Sequence, residues 1–179
     1  KKVLVQELYC VETLARVDVL CFDKTGTITK GVPAVTEKYI APGVSEEEYY
    51  SAIAIAEKNS SHPLGKAIMK YVNASGKIDV SAIPNAEYEM LVGRGVRTNH
   101  DGNVYEVSNK KCLADAKEGV TDEVNAFIKN NESKGRTTML VVKNAKVLGG
   151  ISVADEIREN IKTTMQQFKK LGIEHIVML

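Results

Sequence analysis

Tryptophan is absent from the 179 residues, phenylalanine occurs three times, and no apolar run approaches the roughly 20 residues needed to cross a bilayer. The chain is therefore expected to contain no spanning helix. Cysteine is also sparse: Cys10, Cys21 and Cys112 stand far apart, with no CxxC pair. That spacing suits neither a disulfide framework nor a zinc site, so the three read as buried or free thiols in a reducing compartment. Charge of one sign is missing too. A net charge of +1 gives no broad basic field, so nucleic acid is not an expected partner and any phosphate binding must be local. The first residues, Lys1-Lys2-Val3-Leu4-Val5-Gln6-Glu7, are too polar and short-cored for a signal peptide. Nothing matches GxxxxGK[ST], which argues against a P-loop nucleotide site. The chain also begins without Met and stops in the apolar run 176–179, so it reads as an excised part of something larger.

What is present is ordinary in bulk: 44% hydrophobic and 26% charged residues, enough to bury one large domain or two small ones. The run 17–22 (Val-Asp-Val-Leu-Cys-Phe) suits a buried central strand and leads into a loop rich in Gly and Thr. Beyond Gly31-Val32-Pro33 the pattern changes. Ser45-Glu46-Glu47-Glu48 has capping-box spacing ahead of a helix carrying Tyr49, Ile53 and Ala56. Pro63 suits the first position of a second helix, with Leu64, Ala67, Ile68 and Tyr71 on its apolar face. Short strands follow over 87–107, with Gly93-Arg94-Gly95 and Asp101-Gly102-Asn103 as turns. Thr121 caps a helix running through Ile128, and strands fit 138–142 and 146–153. The last helix places Ile157, Ile161, Met165, Phe168 and Leu171 on one face and ends at Gly172; 173–179 is then a strand. Parallel α/β units at the two ends thus enclose an antiparallel α+β insertion.

The most specific segment is Asp23-Lys24-Thr25-Gly26-Thr27. A carboxylate at the carboxyl end of such a strand lies where open α/β sheets place ligands. It is a usable nucleophile towards phosphorus if cations and backbone N–H groups neutralise the phosphoryl oxygens. Gly26 allows close backbone approach, Thr25 and Thr27 offer hydroxyls, and a magnesium ion could bridge carboxylate and phosphate. The bland alternative is a helix-capping aspartate in a polar turn.

This string, followed by Ile28-Thr29, resembles the phosphorylation loop of P-type ATPases, whose phosphorylation domain has the haloacid dehalogenase-like (Rossmann-type α/β) fold. Phosphatases of that wider superfamily carry a second Asp two residues after the nucleophile; Thr25 stands there, which weakens acid–base assistance to hydrolysis. A second set of residues, Glu57, His62-Pro63, Gly93 with Gly95, and Asn109, resembles in order and spacing the nucleotide-binding domain of the heavy-metal-transporting branch. Glu57 lies five residues before His62 as in that branch, while Ser108 replaces the Gly that precedes the family's Asn. The resemblance implies that Glu57 and His62 contact adenine, that the glycines line the pocket, and that ATP and Mg2+ are the cofactors. In it Asp23 and Thr25 provide magnesium ligands, with the remaining ligand outside this chain, and Lys24 contacts phosphate. Asp155-Glu156-Ile157-Arg158 resembles the Asp-x-x-Arg segment where the insertion rejoins the phosphorylation domain, which implies that Asp155 and Arg158 help bring nucleotide and aspartate together; equally, Asp155 could cap a helix and Arg158 be a solvated residue on it.

The implied organisation is a partial, discontinuous phosphorylation domain (1–33 and 146–179) with a nucleotide-binding domain at 34–145. The implied whole is a heavy-metal pump in which this is a cytoplasmic part of an integral membrane protein. Its own transmembrane and actuator domains, and the transported metal, would be bound outside this chain, with copper and zinc or cadmium all open. The fragment is expected to bind nucleotide but to turn over ATP poorly by itself. A phosphatase with a large cap domain is the enzymatic alternative, and a nucleotide-sensing module with an idle Asp23 is the non-enzymatic one.

Overall fold

Short apolar runs bounded by turn glycines become eight strands and five helices among the described residues of the computed structural model, which are 4, 5, 7, 9–84, 86 and 88–179. They divide into two compact units. One comprises the chain up to Val32 together with Asp155–Leu179, and the other is Pro33–Ala154. Sequence placed the second junction at 145/146. It falls later because the strand beginning at Lys146 keeps its ladder partners through Val153.

The first unit contains α1 (Tyr9–Leu14), β1 (Val19–Phe22), α5 (Ile161–Lys170) and β8 (His175–Met178). β1 and β8 pair in parallel, from Val19 opposite His175 to Phe22 opposite Met178. On α5 the half-buried Ile161, Met165 and Phe168 share one face, and the Phe168 ring lies 5.9 Å from that of Phe22. This helix starts at Ile161 rather than near Ile157, which is 64% exposed and belongs to a strand. β1 is not the buried strand expected. Its side chains alternate between exposed and half-buried, since β8 is its one ladder partner among the described residues. Cys10 and Cys21 are exposed here, whereas Cys112 of the other unit is buried.

The second unit is built on a six-stranded sheet in the order β2 (Thr29–Ile40), β7 (Lys146–Ile157), β6 (Thr137–Lys143), β5 (Asn103–Ser108), β4 (Gly95–His100), β3 (Tyr88–Leu91). The ladders from β3 to β7 are antiparallel. β4 and β5 are joined by Asp101-Gly102, with φ of 48° and 71°, the left-handed pair that a two-residue type I′ turn requires. In β6 the alternation is visible as chemistry. Met139 and Val141 enter one core with α2 (Glu46–Glu57) and α3 (Pro63–Ser75), while Leu140 and Val142 enter another with α4 (Asp122–Ser133). The sheet therefore carries helices on both faces, and β6 over 139–142 is a continuous apolar run.

α2 begins at Ser45, whose hydroxyl accepts from the Glu48 N–H at 3.1 Å. It is buried further round than an amphipathic pattern predicts. Tyr49, Tyr50, Ala52, Ile53, Ala54 and Ala56 are all buried, because α3 packs on α2 while α2 packs on the sheet. Burying a side chain such as Ile53 contributes about 1.5–3 kcal/mol. These two helices and the β3–β4 turn frame the cleft described next.

Candidate active site

Each unit holds one of the two residue groups picked out by sequence. In the first, Asp23 directly follows β1, exposed, in an extended conformation (φ −69°, ψ 142°). Its carboxylate makes no hydrogen bond among the described residues. The backbone then folds into a tight turn over Lys24–Ile28, in which Gly26 adopts φ 77°. Lys24, Thr25 and Thr27 are exposed along it.

This loop is braced from its own far side. Thr29 is buried, and its Oγ1 lies 2.5 Å from Asp155 Oδ2 and 3.0 Å from the Lys24 carbonyl while accepting from the Gly26 N–H. Asp155 Oδ1 accepts from the N–H groups of Gly31 and Val32, at 3.0 and 3.2 Å. Arg158 donates from Nε to the Thr27 carbonyl at 3.1 Å and from its terminal nitrogen to that of Gly26 at 2.7 Å. A side chain at Gly31 would press on the Gly26 Cα at 3.2 Å, so the two glycines keep this fold of the chain tight. Asp155 is thus no helix cap, and Arg158 is no solvated helix residue: both hold the Asp23 loop in shape. Thr29 is the member that sequence reasoning left without a role. Its signal was a threonine two residues beyond Thr27, in a strand that a half-buried carboxylate partner could reach.

In the second unit, His62 caps α3. Its Nδ1 accepts from the Leu64 N–H at 3.2 Å, which places the ring proton on Nε2, and Pro63 occupies the first helical position. Behind it opens a cleft of about 380 Å³, walled mainly by Leu64, Met90, Leu91, Val92, Val96 and Met139. Glu57, Ser60, His62, Gly93, Gly95 and Asn109 also line it. Glu57 is only 3% exposed, and its Oε2 and the Ser60 Oγ are both buried without a hydrogen-bond partner among the described residues. Burial pushes the Glu57 carboxyl up to about 7. Gly65, which sequence reasoning missed, makes the arrangement possible: a Cβ there would lie 2.3 Å from Glu57 Oε2 and 2.4 Å from Ser60 Oγ. It sits one helical turn after Ser61-His62, where a glycine inside a helix start is itself a packing signal.

The glycine pair forms a turn rather than an open shelf. Gly93 takes φ 66°, and the Arg94 N–H closes on the Leu91 carbonyl at 2.9 Å. A Cβ at Gly95 would lie 2.2 Å from the Val107 carbonyl, so β4 starts pressed against β5. Asn109 is spent on this turn. Its amide nitrogen donates to the Gly93 carbonyl at 2.9 Å, and its oxygen accepts from the Lys111 N–H at 3.1 Å. Asp23, Lys24, Thr25, Thr27, Asp155 and Arg158 therefore gather in one unit, and Glu57, His62, Pro63, Gly93, Gly95 and Asn109 in the other.

A parallel strand pair that ends on an unencumbered aspartate, interrupted by a sheet-and-helix insertion with its own cleft, defines a haloacid dehalogenase-like domain carrying a large inserted module. The model of the haloacid dehalogenase-like hydrolases matches residues 17–179, and the chain belongs to that family. Within it the chain is similar to heavy-metal-transporting P-type ATPases. It is 36% identical over 183 residues to a probable cadmium-transporting ATPase of Staphylococcus aureus (strain MRSA252), covering all of this chain and 25% of that protein. It is 36% identical over 170 residues to a zinc/cadmium/lead-transporting P-type ATPase of Escherichia coli (strain K12), covering 94% of this chain and 22% of that one. The crystal structure of a zinc-transporting PIB-type ATPase in its E2.Pi state superposes with a TM-score of 0.74 at 34% identity, over 94% of this chain and 26% of that one. The chain thus spans about a quarter of the length of these relatives. No helix among the described residues is long and apolar enough to cross a membrane.

Proposed function

We propose that this chain is the ATP-binding and phosphorylated cytosolic portion of a heavy-metal cation pump, in which Asp23 accepts the γ-phosphoryl group of ATP. One observation carries the reading: Asp23 stands exposed at the end of β1 and makes no hydrogen bond among the described residues, while the bracing contacts of its loop fall on neighbouring atoms. A carboxylate oxygen attacks phosphorus, the bond to the bridging oxygen breaks, and ADP departs with the electron pair. The donor nucleotide is assigned to the cleft of the second unit. Its apolar walls suit a purine face, and Glu57 at its floor suits an exocyclic amino group. His62 stacks on the base or donates from its Nε2 at the rim.

Magnesium fits the donor chemistry in kind, since Asp23 and Thr25 offer the hard oxygens it prefers. No group of three or more His, Cys, Asp or Glu side chains that could hold a metal occurs among the described residues, so these two are a partial set. Bound there, the ion supplies charge neutralisation for the phosphoryl oxygens. Lys24, exposed on the same loop, adds a second cation. Thr25 places no carboxylic acid beside the acyl phosphate, which favours storage of the phosphoryl group over its hydrolysis. The transmembrane and actuator domains, and a transported ion of the zinc and cadmium kind, are assigned to the full-length protein.

The test is phosphoenzyme formation. A full-length protein carrying this chain, incubated with γ-labelled ATP and Mg2+, should acquire acid-stable, hydroxylamine-labile label. Asp23→Asn should take that label below detection. Label that persists in the variant would refute the assignment of the nucleophile.

A further inference from the structure

Arg94 stands between the two glycines of the nucleotide cleft and contributes to its wall, yet its guanidinium is committed elsewhere. Nε donates to Glu106 Oε1 at 2.9 Å and a terminal nitrogen pairs with Asp115 Oδ2 at 2.7 Å. Glu106 is itself buried, at 6% exposure, and is held on its other oxygen by Arg97 at 3.0 Å. The Ser108 hydroxyl donates to Glu106 Oε1 at 2.6 Å. Strand alternation puts this network on the opposite side of the sheet from the nucleotide cleft. Val96, Tyr105 and Val107 enter the core with α2 and α3, so Arg97, Glu106 and Ser108 point the other way. There Arg94, Arg97, Glu106 and Asp115 line a second cleft, with Cys112 and Lys117. The backbone repeats the connection: the Asn109 N–H donates to the Arg94 carbonyl at 2.8 Å, directly after Ser108.

We propose that Glu106, acting through Arg94 with Asp115, is the positioning device of the nucleotide cleft, fixing the Gly93–Gly95 turn from the far face of the sheet. Arg94 is on this view a tether rather than a phosphate ligand. A buried carboxylate between two guanidinium groups and a hydroxyl is a stiff anchor, because each partner is charge-assisted and breaking one leaves another unpaired out of water. A turn hung on such an anchor presents its backbone to a base in one geometry, so ordering is not required at the moment of binding. The inference rests on assigning nucleotide to the first cleft.

The experiment separates the tether from that assignment. In the ligand-free chain, the amide resonances of Gly93, Gly95 and Asn109 should move in Glu106→Gln and Asp115→Asn, while those of α3 stay in place. Asp115 is exposed, so its variant retains the fold if Glu106→Gln does not. Unmoved amides in Asp115→Asn overturn the tether whether or not nucleotide binds. In calorimetric titrations, Arg94→Ala should weaken adenosine, AMP and ATP by the same factor, roughly fivefold or more. A loss confined to the phosphorylated ligands would make Arg94 a phosphate ligand and overturn the proposal, and so would unchanged affinity for all three. A wild-type chain that binds none of these ligands would sink the nucleotide assignment, leaving the amide shifts to judge the tether.

Discussion

Asp23 and Glu57 are both carboxylates at the centre of a candidate site, and their surroundings are opposite. Asp23 is exposed, with its loop clamped around it and its own oxygens left free. Glu57 is buried, with one oxygen that makes no hydrogen bond among the described residues. In the proposed function the difference is a division of labour. A nucleophile must be charged and reachable at neutral pH, so its positioning is delegated to Thr29, Asp155 and Arg158. A recognition group gains from a water-poor setting, where a single hydrogen bond to a ligand counts for more and a missing one costs more. Rigidity is supplied from outside in the first case and by packing in the second.

The largest effect that would sharpen this contrast is the pH dependence of stability. Glu57 titrates near 7 when folded and near 4.5 when unfolded, so the folded chain holds its proton more tightly. Its contribution is complete below about 4.5 and is lost as pH rises through about 7, on the order of 3 kcal/mol in total. Urea melts across that window should show the decline, and Glu57→Gln should flatten it. Glu46 provides an internal contrast, since its ion pairs with Lys38 and Lys77 hold it down at about 2. Its contribution disappears at the acid end, as pH falls from about 4.5 through about 2.

Next in size is Gly65→Ala. The new methyl group meets Glu57 and Ser60 well inside contact distance, so destabilisation of about 1–3 kcal/mol is expected, read as a lower Tm. An unchanged melting temperature would mean that Glu57 and Ser60 swing away freely, and the description of a packed recognition group would fail. His62→Gln comes third. Titration calorimetry should find ATP binding weaker by about fivefold, with circular dichroism unchanged, since only an exposed rim group and one helix cap are altered. The smallest change is Arg158→Ala, which frees the Gly26 and Thr27 carbonyls to bond water. Faster amide exchange over 24–29, with stability altered by about 1 kcal/mol or less, is the expected signature.

Legibility from sequence follows the same divide. Local patterns carried the secondary structure well: Ser45 caps α2, Pro63 opens α3, Asp101-Gly102 makes its hairpin, and 138–142 lies in a strand. These depend on residues within a turn or two of each other. The motif string around Asp23 was legible for the same reason. What sequence could not supply was long-range pairing. Thr29 meets Asp155 across 126 positions, and Glu106 reaches Arg94 from a neighbouring strand. Neither pair leaves a periodic trace. Asp155 and Arg158 were the hardest to decide, because a polar pair ahead of an apolar run is also the signature of a capped helix, and here that helix begins only at Ile161. Asn109 was recognised by position while its bonds, to Gly93 and Lys111, were not.

The clasp between Asp155 and the Gly31 and Val32 amides has a further consequence for how such a chain is assembled. The inserted unit leaves the first unit after Val32 and returns at Asp155, and those two points are hydrogen-bonded to each other. Within the insertion, Thr36 and Ser152 are likewise in contact, 3.3 Å from hydroxyl to carbonyl. Both severed ends would thus be neighbours on either side of the cut. A module joined in this way behaves as a cassette: it can be lengthened, exchanged or excised and closed with a short turn, while the aspartate loop keeps the same few atoms for its support.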